Sequence, residues 1–313
     1  MIVCVSCNPC IDYYIVVSEF KPNDLNHIIG KHSYYAGKGV NAAHAAAILE
    51  AKAKVIGFMP QLSKAMFIQD LDMYKIGYDF VETTGAVRVN MKITDATGNT
   101  TDLNDKSEPV NKTHCDALTD KISKLITADD FVIFSGSLPD GAPENFYELL
   151  SSKIKAPFAV DAEGEKLLCT LKNKPKIIKP NLSELEVIFK KKLTSDVDII
   201  KSAQLLMEKG AGSVMISLGK HGAIYVTKDK VLLAGAGTVA ANSATGAGDA
   251  MLAAACIAIQ EGKEPEEVLR SGVAAATATV MTMGTMPMRK DAYDFQLPIV
   301  NVSPFVPQSA AKK

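Results

Sequence analysis

The segment NSATGAGDAM, residues 242–251, places an aspartate directly after a turn of small residues. Gly246, Ala247 and Gly248 precede Asp249, and an apolar run that predicts a helix follows. Backbone N–H groups at such a helix start bind anions, because they are free of helical partners and lie at the positive end of the helix dipole. Beside a phosphoryl group held there, Asp249 could take the proton of an attacking hydroxyl as a general base. The segment by itself leaves open a simpler role, in which the acidic residue only stabilises the helix N-terminus.

A second group of polar residues alternates in the segment RVNMK. Arg88, Asn90 and Lys92 are two residues apart, so they lie on one face of the predicted strand. Two cations and an amide are groups that bind a phosphate well. A solvated strand face is the alternative that the segment leaves open.

The segment KPNLSE places Asn181 and Glu184 three residues apart at a predicted helix start. Their oxygen atoms could hold Mg²⁺ through water molecules. The same spacing is typical of a capping arrangement, in which the two side chains satisfy backbone N–H groups.

Three cysteines near the N-terminus, Cys4, Cys7 and Cys10, are spaced as in some iron–sulfur proteins. Such proteins complete the set with a fourth cysteine nearby, whereas the next one here is Cys115. The apolar run IVCVS predicts a buried strand in which cysteine serves as a small hydrophobic residue. We therefore expect a structural role for these cysteines rather than a metal site.

The composition limits the classes of protein that remain. The 313 residues are 47% hydrophobic and 22% charged, which is ordinary for a globular protein with one large domain or two smaller ones. A net charge of −1 gives no indication of a nucleic-acid partner. The apolar runs are too short or too interrupted for a membrane span, and the N-terminus lacks the basic region of a secretory signal. We expect a cytoplasmic protein.

Strands alternate with helical segments over most of the chain, which predicts an α/β fold with a mostly parallel sheet covered on both faces. Two β-rich segments, residues 11–35 and 87–105, are too short to bury a core of their own. We expect them to pair into a small sheet that lies over the core as a lid. The core would then comprise residues 1–10, 36–86 and 106–313. Ligands of open α/β sheets bind at the carboxyl ends of the strands, where the unusual loops fall.

Together these motifs resemble the pfkB (ribokinase-like) carbohydrate kinases over nearly the whole chain. NSATGAGDAM is similar to the C-terminal signature of that family, and AGKGVNAAHAAAILEA is similar to the N-terminal one. NPCID, RVNMK, SGSLPDG and KPNLSEL resemble the phosphosugar branch, which contains 1-phosphofructokinase and tagatose-6-phosphate kinase. The resemblance implies a three-layer α/β core with a mostly parallel central sheet and a small β-sheet lid, which in relatives also makes a homodimer contact.

The resemblance also implies a role for each matching residue. Asp249 would be the base, and the amides of residues 246–248 would bind the transferring phosphoryl group. Arg88 and Lys38 would hold the phosphate of the sugar, and Asp12 would bind its hydroxyls. The full sugar-binding set would be Asp12, Gly37, Lys38, Asn41, Arg88, Asn90 and Ser137. Glu184 would lie at Mg²⁺, and ATP would be bound by Lys179, Asn181, Ser217, Gly219, Gly222, Thr245, Gly272, Ala275 and Thr279.

The expected function is the ATP-dependent phosphorylation of a hydroxyl on a ketohexose monophosphate, which gives a bisphosphate. The motifs do not distinguish fructose 1-phosphate, tagatose 6-phosphate and fructose 6-phosphate. An unphosphorylated sugar or nucleoside is an alternative substrate, but it would leave Arg88 and Lys38 without a partner. A catalytically weak phosphosugar sensor is a second alternative, but it would not require Asp249. The oligomeric state and the need for a monovalent cation near TGAGD stay open.

Overall fold

The computed structural model describes residues 1–237 and 239–305, which contain fourteen strands and ten α-helices. The strands are β1 Ile2–Ser6, β2 Cys10–Val17, β3 Ile28–Ala36, β4 Ala53–Pro60, β5 Gly77–Thr83, β6 Arg88–Thr94, β7 Thr100–Asn104, β8 Phe131–Ser135, β9 Phe158–Asp161, β10 Ile177–Ile178, β11 Val214–Ser217, β12 Ala223–Val226, β13 Val231–Ala234 and β14 Val302–Pro304. The helices are α1 Lys38–Ile48, α2 Lys64–Met73, α3 Lys112–Leu125, α4 Phe146–Ser151, α5 Glu165–Leu168, α6 Leu182–Phe189, α7 Asp196–Glu208, α8 Ala247–Gln260, α9 Pro265–Val280 and α10 Lys290–Gln296.

Ten of the strands form one sheet in the order β14-β13-β12-β11-β10-β9-β8-β1-β4-β5. Pairing is parallel from β11 through to β5, and the remaining strands at the other edge are antiparallel. The prediction of a mostly parallel central sheet is therefore confirmed. The carboxyl ends of β1, β8, β9 and β11 lie at one edge of this sheet, which brings the loops that follow them together.

Helices cover both faces of the large sheet, and β1 shows how its residues are divided between them. Ile2 and Cys4 pack with buried residues of α1, α2, α8 and α9, whereas Val3 and Val5 pack with buried residues of α3 to α7. This alternation follows from the two-residue period of a strand. The result is a three-layer α/β fold, as the sequence predicts.

The other four strands form a small sheet in the order β3-β2-β6-β7. The two outer pairs are antiparallel, and β2 runs parallel to β6. This register sets Cys10 opposite Arg88 and Asp12 opposite Asn90, so polar side chains of both strands share one face. The two β-rich segments of the sequence thus pair with each other as expected. The division of the chain into a core and a lid stays a prediction.

Two elements differ from the sequence-based expectation. The segment KIIKP forms only the two-residue strand β10, because prolines flank it at positions 175 and 180 and proline cannot donate a ladder hydrogen bond. Helix α9 ends at Val280 and not near Met283. Beyond its end, Thr282 donates hydrogen bonds to the carbonyl of Thr279 and Gly284 turns the chain at φ 61°. Among residues 1–237 and 239–305, no helix combines the length and hydropathy that a membrane crossing requires.

Candidate active site

The glycine-rich turn forms the start of α8. Gly246 adopts φ 83°, a left-handed conformation that costs glycine little, and its carbonyl accepts the helical hydrogen bond from Ala250. N–H groups in the first turn of a helix have no acceptor within the helix, so those of Gly248 and Asp249 are available to an anion. A Cβ built on Gly248 would lie 3.1 Å from Nζ of Lys179, so the missing side chain lets a lysine approach the turn. The turn therefore combines backbone donors with a positive charge.

Asp249 is buried in the first turn of α8, and its Oδ2 accepts a 2.8 Å hydrogen bond from Nδ2 of Asn41 on α1. Burial and the negative charge of Asp161 raise the pKa of Asp249 to about 6, against the opposing effects of Lys38, Asn41 and Lys179. A carboxylate with such a pKa is still ionised at neutral pH, yet it accepts a proton more readily than an exposed aspartate does. The local surroundings therefore suit a general base.

Asp161 is a residue of this cluster that sequence reasoning missed. It ends β9, is 1% exposed, and lies between two lysines. Nζ of Lys38 donates a 2.9 Å hydrogen bond to its Oδ1, and Nζ of Lys179 lies 2.9 Å from its Oδ2 at an angle unfavourable for a hydrogen bond. Burial alone would raise the pKa of Asp161, but the two lysines outweigh that effect and hold it below its ordinary value. The signal available in the sequence was an acidic residue at the end of an apolar strand, FAVD.

The face shared by β2 and β6 carries the groups expected to bind the sugar. Oδ1 of Asp12 accepts a 2.9 Å hydrogen bond from Nδ2 of Asn90, and Oδ1 of Asn90 in turn accepts one of 2.9 Å from Arg88. Nε of Arg88 also donates to Oδ1 of Asn8 at 3.2 Å, and Nδ2 of Asn8 donates to Oγ of Ser137 at 3.0 Å. A guanidinium has five N–H donors, so three remain for a ligand after these two contacts. Asn8, which sequence reasoning did not single out, thus links Arg88 to Ser137.

Two lysines that the sequence associates with Arg88 pair with carboxylates in the structure. Lys38 was grouped with Arg88, but its ammonium pairs with Asp161. Burial would lower the pKa of Lys38, but Asp161 and Asp249 outweigh that effect and raise it. Lys92, although on the same strand face as Arg88, pairs with Asp102 on β7 at 2.9 Å. Arg88 is therefore the cation beside Asn90 and Asp12, while Lys38 belongs to the charge cluster around Asp249.

Gly37 precedes α1 and explains how the N-terminal motif reaches the site. Its φ of 118° is one that side chains rarely adopt, and a Cβ there would lie 3.0 Å from Cα of Pro9. The close approach of these two loops brings the start of α1 next to the end of β1. Asn41, one turn further along α1, then donates a hydrogen bond to Asp249.

Asn181 and Glu184 form the capping arrangement that the sequence left as an alternative. Oδ1 of Asn181 accepts from the N–H of Glu184, and Oε2 of Glu184 accepts from the N–H of Asn181, both at 2.8 Å. One carboxylate oxygen of Glu184 is thereby used, and Oε1 remains for another ligand. Burial raises the pKa of Glu184, opposed by the Asn181 hydrogen bond and by Lys38. Asn181 also pairs with Ser217 at the end of β11, which places Ser217 next to α6.

The residues expected around the nucleotide base lie in three places. Gly219 and Gly222 lie in the turn between β11 and β12, where Gly222 has φ 88° and a Cβ would lie 1.9 Å from the carbonyl oxygen of Ala234. Thr245 and Thr279 line a small cavity beside Gly246. Gly272 and Ala275 are buried on α9, as Thr279 is, but they do not line that cavity. A Cβ on Gly272 would lie 3.2 Å from Met251 and 3.4 Å from the sulfur of Met215. These two small residues permit close packing of α9 on α8.

Comparison with known proteins agrees with this fold and this set of motifs. The model of the pfkB family of carbohydrate kinases matches residues 1–292. A 1-phosphofructokinase of Borreliella burgdorferi is 30% identical over 284 residues, which cover 90% of this chain and 92% of that protein. A D-tagatose-1-phosphate kinase of Bacillus licheniformis is 32% identical over 288 residues, which cover 91% and 94%. The crystal structure of phosphofructokinase-2 from Escherichia coli in complex with substrates and products superposes with a TM-score of 0.90 at 25% identity, covering 96% of this chain and 98% of the other.

The chain belongs to the pfkB family of carbohydrate kinases. It is therefore a sugar kinase, and membership of this family implies the use of ATP and Mg²⁺.

Proposed function

We propose that this kinase transfers the γ-phosphoryl group of ATP to a hydroxyl of a ketohexose monophosphate. The observation that carries the proposal is the arrangement of Asp12, Asn90 and Arg88 on one face of the small sheet. A carboxylate and an amide are suited to the hydroxyls of a sugar, and a guanidinium with three free donors is suited to a phosphate. A substrate that pairs with the carboxylate and amide as well as with the guanidinium must carry hydroxyls and a phosphate. The hydroxyl of Ser137, which accepts from Asn8, keeps its own hydrogen for the same phosphate.

In the proposed reaction, Asp249 removes the proton of the acceptor hydroxyl as the sugar oxygen attacks the γ-phosphorus. One P–O bond forms to the sugar, the P–O bond to ADP breaks, and the proton resides on the carboxylate of Asp249. The N–H groups of Gly248 and Asp249 and the ammonium of Lys179 stabilise the negative charge on the transferring group. The N–H of Ala247, which the sequence placed in this set, donates instead to the carbonyl of Ala244. Asn41 holds the carboxylate of Asp249 in place through its 2.8 Å hydrogen bond.

The residues present fit MgATP. The free donors at the start of α8 lie within reach of Lys179, as the 3.1 Å approach of its ammonium to the Gly248 position shows. Oε1 of Glu184 is left outside the capping arrangement and would hold Mg²⁺ through water. The metal would neutralise part of the charge of the phosphates. Lys179, Asn181, Ser217 and Thr245 would surround the nucleotide.

The names of the relatives direct the choice of substrate. Because these are a 1-phosphofructokinase and a D-tagatose-1-phosphate kinase, we propose a ketohexose 1-phosphate as the first candidate. Coupled ADP release with MgATP tests this against a panel of fructose 1-phosphate, tagatose 1-phosphate, tagatose 6-phosphate, fructose 6-phosphate, fructose and ribose. Turnover with one phosphosugar at least about tenfold above the free sugars is expected, because only a phosphosugar pairs with Arg88. Turnover with a free sugar alone would show that the role given to Arg88 is wrong.

We also propose that the small sheet contacts a second copy of the chain. The face opposite to Asp12 and Asn90 carries partly exposed apolar side chains beside the polar residues Lys31, Ser33 and Thr101. The apolar ones are Tyr13, Ile15, Val89, Met91, Ile93 and Leu103. Met91 and Leu103 face each other across β6 and β7 and are 37% and 51% exposed. Light scattering after gel filtration should give a dimer for the unmodified chain and a monomer for Met91→Lys/Leu103→Lys. Leu149→Lys, at a 41% exposed position on α4, is the control that should leave the dimer intact.

We also propose a monovalent cation and a cytoplasmic location, both of which the sequence analysis raised. A monovalent cation is proposed to act near the turn at residues 244–248, where Thr245 and Gly246 line a small cavity. Activity should then be higher in potassium chloride than in tetramethylammonium chloride at equal ionic strength.

A cytoplasmic location is proposed because both substrates would be phosphorylated metabolites. Fractionation of cells should recover the chain with the cytosol.

A further inference from the structure

The segment that follows α9, residues 281–288, contacts the small sheet next to the proposed sugar site. Oγ1 of Thr285 donates a 2.6 Å hydrogen bond to Oδ2 of Asp12, across 273 residues of sequence. Both residues are buried, with 7% and 5% of their surface exposed. The hydroxyl of Tyr14, which lies on the same strand face as Asp12, is 3.2 Å from Oγ1 of Thr285. A short polar chain therefore joins β2 to the segment after α9.

The direction of this chain follows from the chemistry of its groups. An ionised carboxylate only accepts hydrogen bonds, so Thr285 must donate its single hydroxyl hydrogen to Asp12. Tyr14 must then donate to Thr285. The other oxygen of Asp12 accepts from Asn90 on β6 and from Sγ of Cys10, at 2.9 and 3.4 Å. The carboxylate is thus held on one side from within the small sheet and on the other side by the segment after α9.

Gly284 shows how closely the two parts approach. It has φ 61°, and a Cβ there would lie 2.5 Å from the ring of Tyr34 and 2.8 Å from the ring of Tyr14. These two rings pack edge to face, with centroids 5.6 Å apart. The segment itself is braced by Thr282, whose hydroxyl lies 2.8 Å from the carbonyl oxygen of Met286. Because the segment is braced and contacts two packed rings, the position of Thr285 relative to β2 is fixed.

The same segment also reaches the anion-binding turn. Thr285 and Met286 line the same small cavity as Gly246, Thr245 and Asn41. Residues 281–288 therefore lie against both Asp12 and the start of α8. An acceptor hydroxyl must meet both the base and the phosphoryl group, so the distance between these two parts bears directly on the reaction.

We propose that Thr285 is a positioning residue for substrate binding: it fixes the carboxylate of Asp12, and with it strand β2, relative to the anion-binding turn. The inference rests on the proposed role of Asp12 in binding sugar hydroxyls. Thr285→Val keeps the shape of the side chain but leaves Oδ2 of Asp12 without its donor. The loss of a hydrogen bond to a charged group should raise the KM for the phosphosugar roughly 10- to 100-fold. The KM for ATP should change less than about twofold, because the residues proposed to bind ATP keep their contacts.

Steady-state kinetics of a small set of variants test the inference. Thr285→Ser keeps the hydroxyl and should restore the KM for the phosphosugar to within about threefold of the unmodified chain. Thr277→Val makes the same chemical change at a buried threonine of α9 whose hydroxyl donates to the carbonyl of Val273, and it should leave both KM values unchanged. An unchanged KM for the phosphosugar in Thr285→Val would overturn the inference. The inference would also be overturned if Thr285→Val raised the KM for the phosphosugar and the KM for ATP equally and Thr285→Ser showed the same increases.

Two more variants separate the inference from the proposed function. If Asp12→Ala leaves the KM for the phosphosugar unchanged, the role given to Asp12 is wrong and the inference is overturned with it. If Asp12→Ala raises that KM and Thr285→Val does not, the inference alone is overturned. Gly284→Ala, which places a methyl group against Tyr14 and Tyr34, should also raise the KM for the phosphosugar selectively. It provides an independent test if Thr285→Val does not fold, and an unchanged KM in Gly284→Ala would then count against the inference.

Discussion

Replacement of Asp249 by asparagine should reduce catalysis and at the same time stabilise the fold. The asparagine side chain would keep the shape of the aspartate, and its Oδ1 could still accept from Asn41, which donates to Asp249 at 2.8 Å. It could not accept the proton of the acceptor hydroxyl. The loss of a general base typically lowers kcat about 10²- to 10⁴-fold. Binding of ATP should be largely retained, because the backbone donors of α8 remain in place.

The effect on stability follows from the raised pKa of Asp249, which is about 6 instead of 3.8. The folded state binds this proton more tightly than the unfolded chain does. The contribution of Asp249 to stability is therefore fully present below about pH 3.8 and is lost as the pH rises to about 6. About two pH units at about 1.4 kcal/mol each correspond to about 3 kcal/mol above pH 6. Asparagine does not ionise, so the variant should avoid that cost.

Urea unfolding of both proteins between about pH 4 and pH 8 measures this effect directly. The variant should be more stable than the unmodified chain by about 3 kcal/mol at about pH 7.5, and the difference should shrink towards pH 4. In the unmodified chain, kcat/KM should fall about tenfold per pH unit below pH 6, because the protonated base is inactive. A variant that retains full kcat would refute the assignment of the base. Equal stabilities at all pH values would refute the argument from burial.

Three further perturbations test other parts of the site and fold. Arg88→Met should raise the KM for the phosphosugar at least about tenfold and leave the KM for free fructose unaffected, since it removes the cation expected at the sugar phosphate. Steady-state kinetics with both sugars measure this. A similar increase of both KM values would contradict the role given to Arg88. Asp161→Asn leaves Lys38 and Lys179 without their buried counter-charge and should cost about 3–5 kcal/mol in urea unfolding. It also removes a negative charge that raises the pKa of Asp249, so the acid limb of kcat/KM should move to lower pH; a limb that stays near pH 6 would argue against this coupling. Gly57→Ala places a Cβ 1.8 Å from the carbonyl oxygen of Ser6 and should lower the melting temperature by several degrees or prevent folding. Gly235→Ala, at an ordinary backbone conformation with open space around it, is the control expected to change the melting temperature much less.

Much of the fold could be predicted because its signals are local. Strands such as FVIFSG and helices such as that after Gly246 show apolar patterns with the period of their own structure. The ends of α9 and β10 were less predictable, because a threonine hydroxyl and two prolines decide them. The capping pair Asn181 and Glu184 was visible in the sequence, but its spacing is compatible with two roles. Hydrogen bonds in the folded chain showed that capping uses one oxygen of Glu184.

The types of the reacting groups and their order along the chain were determined by the sequence alone. The turn at Gly246 and the aspartate after it are a local motif, and a motif of neighbours can be recognised before any folding. The partners of these groups were decided only by the tertiary structure. Lys38 meets Asp161 across 123 residues, Asn41 meets Asp249 across 208, and Thr285 meets Asp12 across 273. The physical reason is that burial and charge act over a few ångströms in space, so the pKa of Asp249 and the orientation of Asp12 exist only once distant segments have packed together.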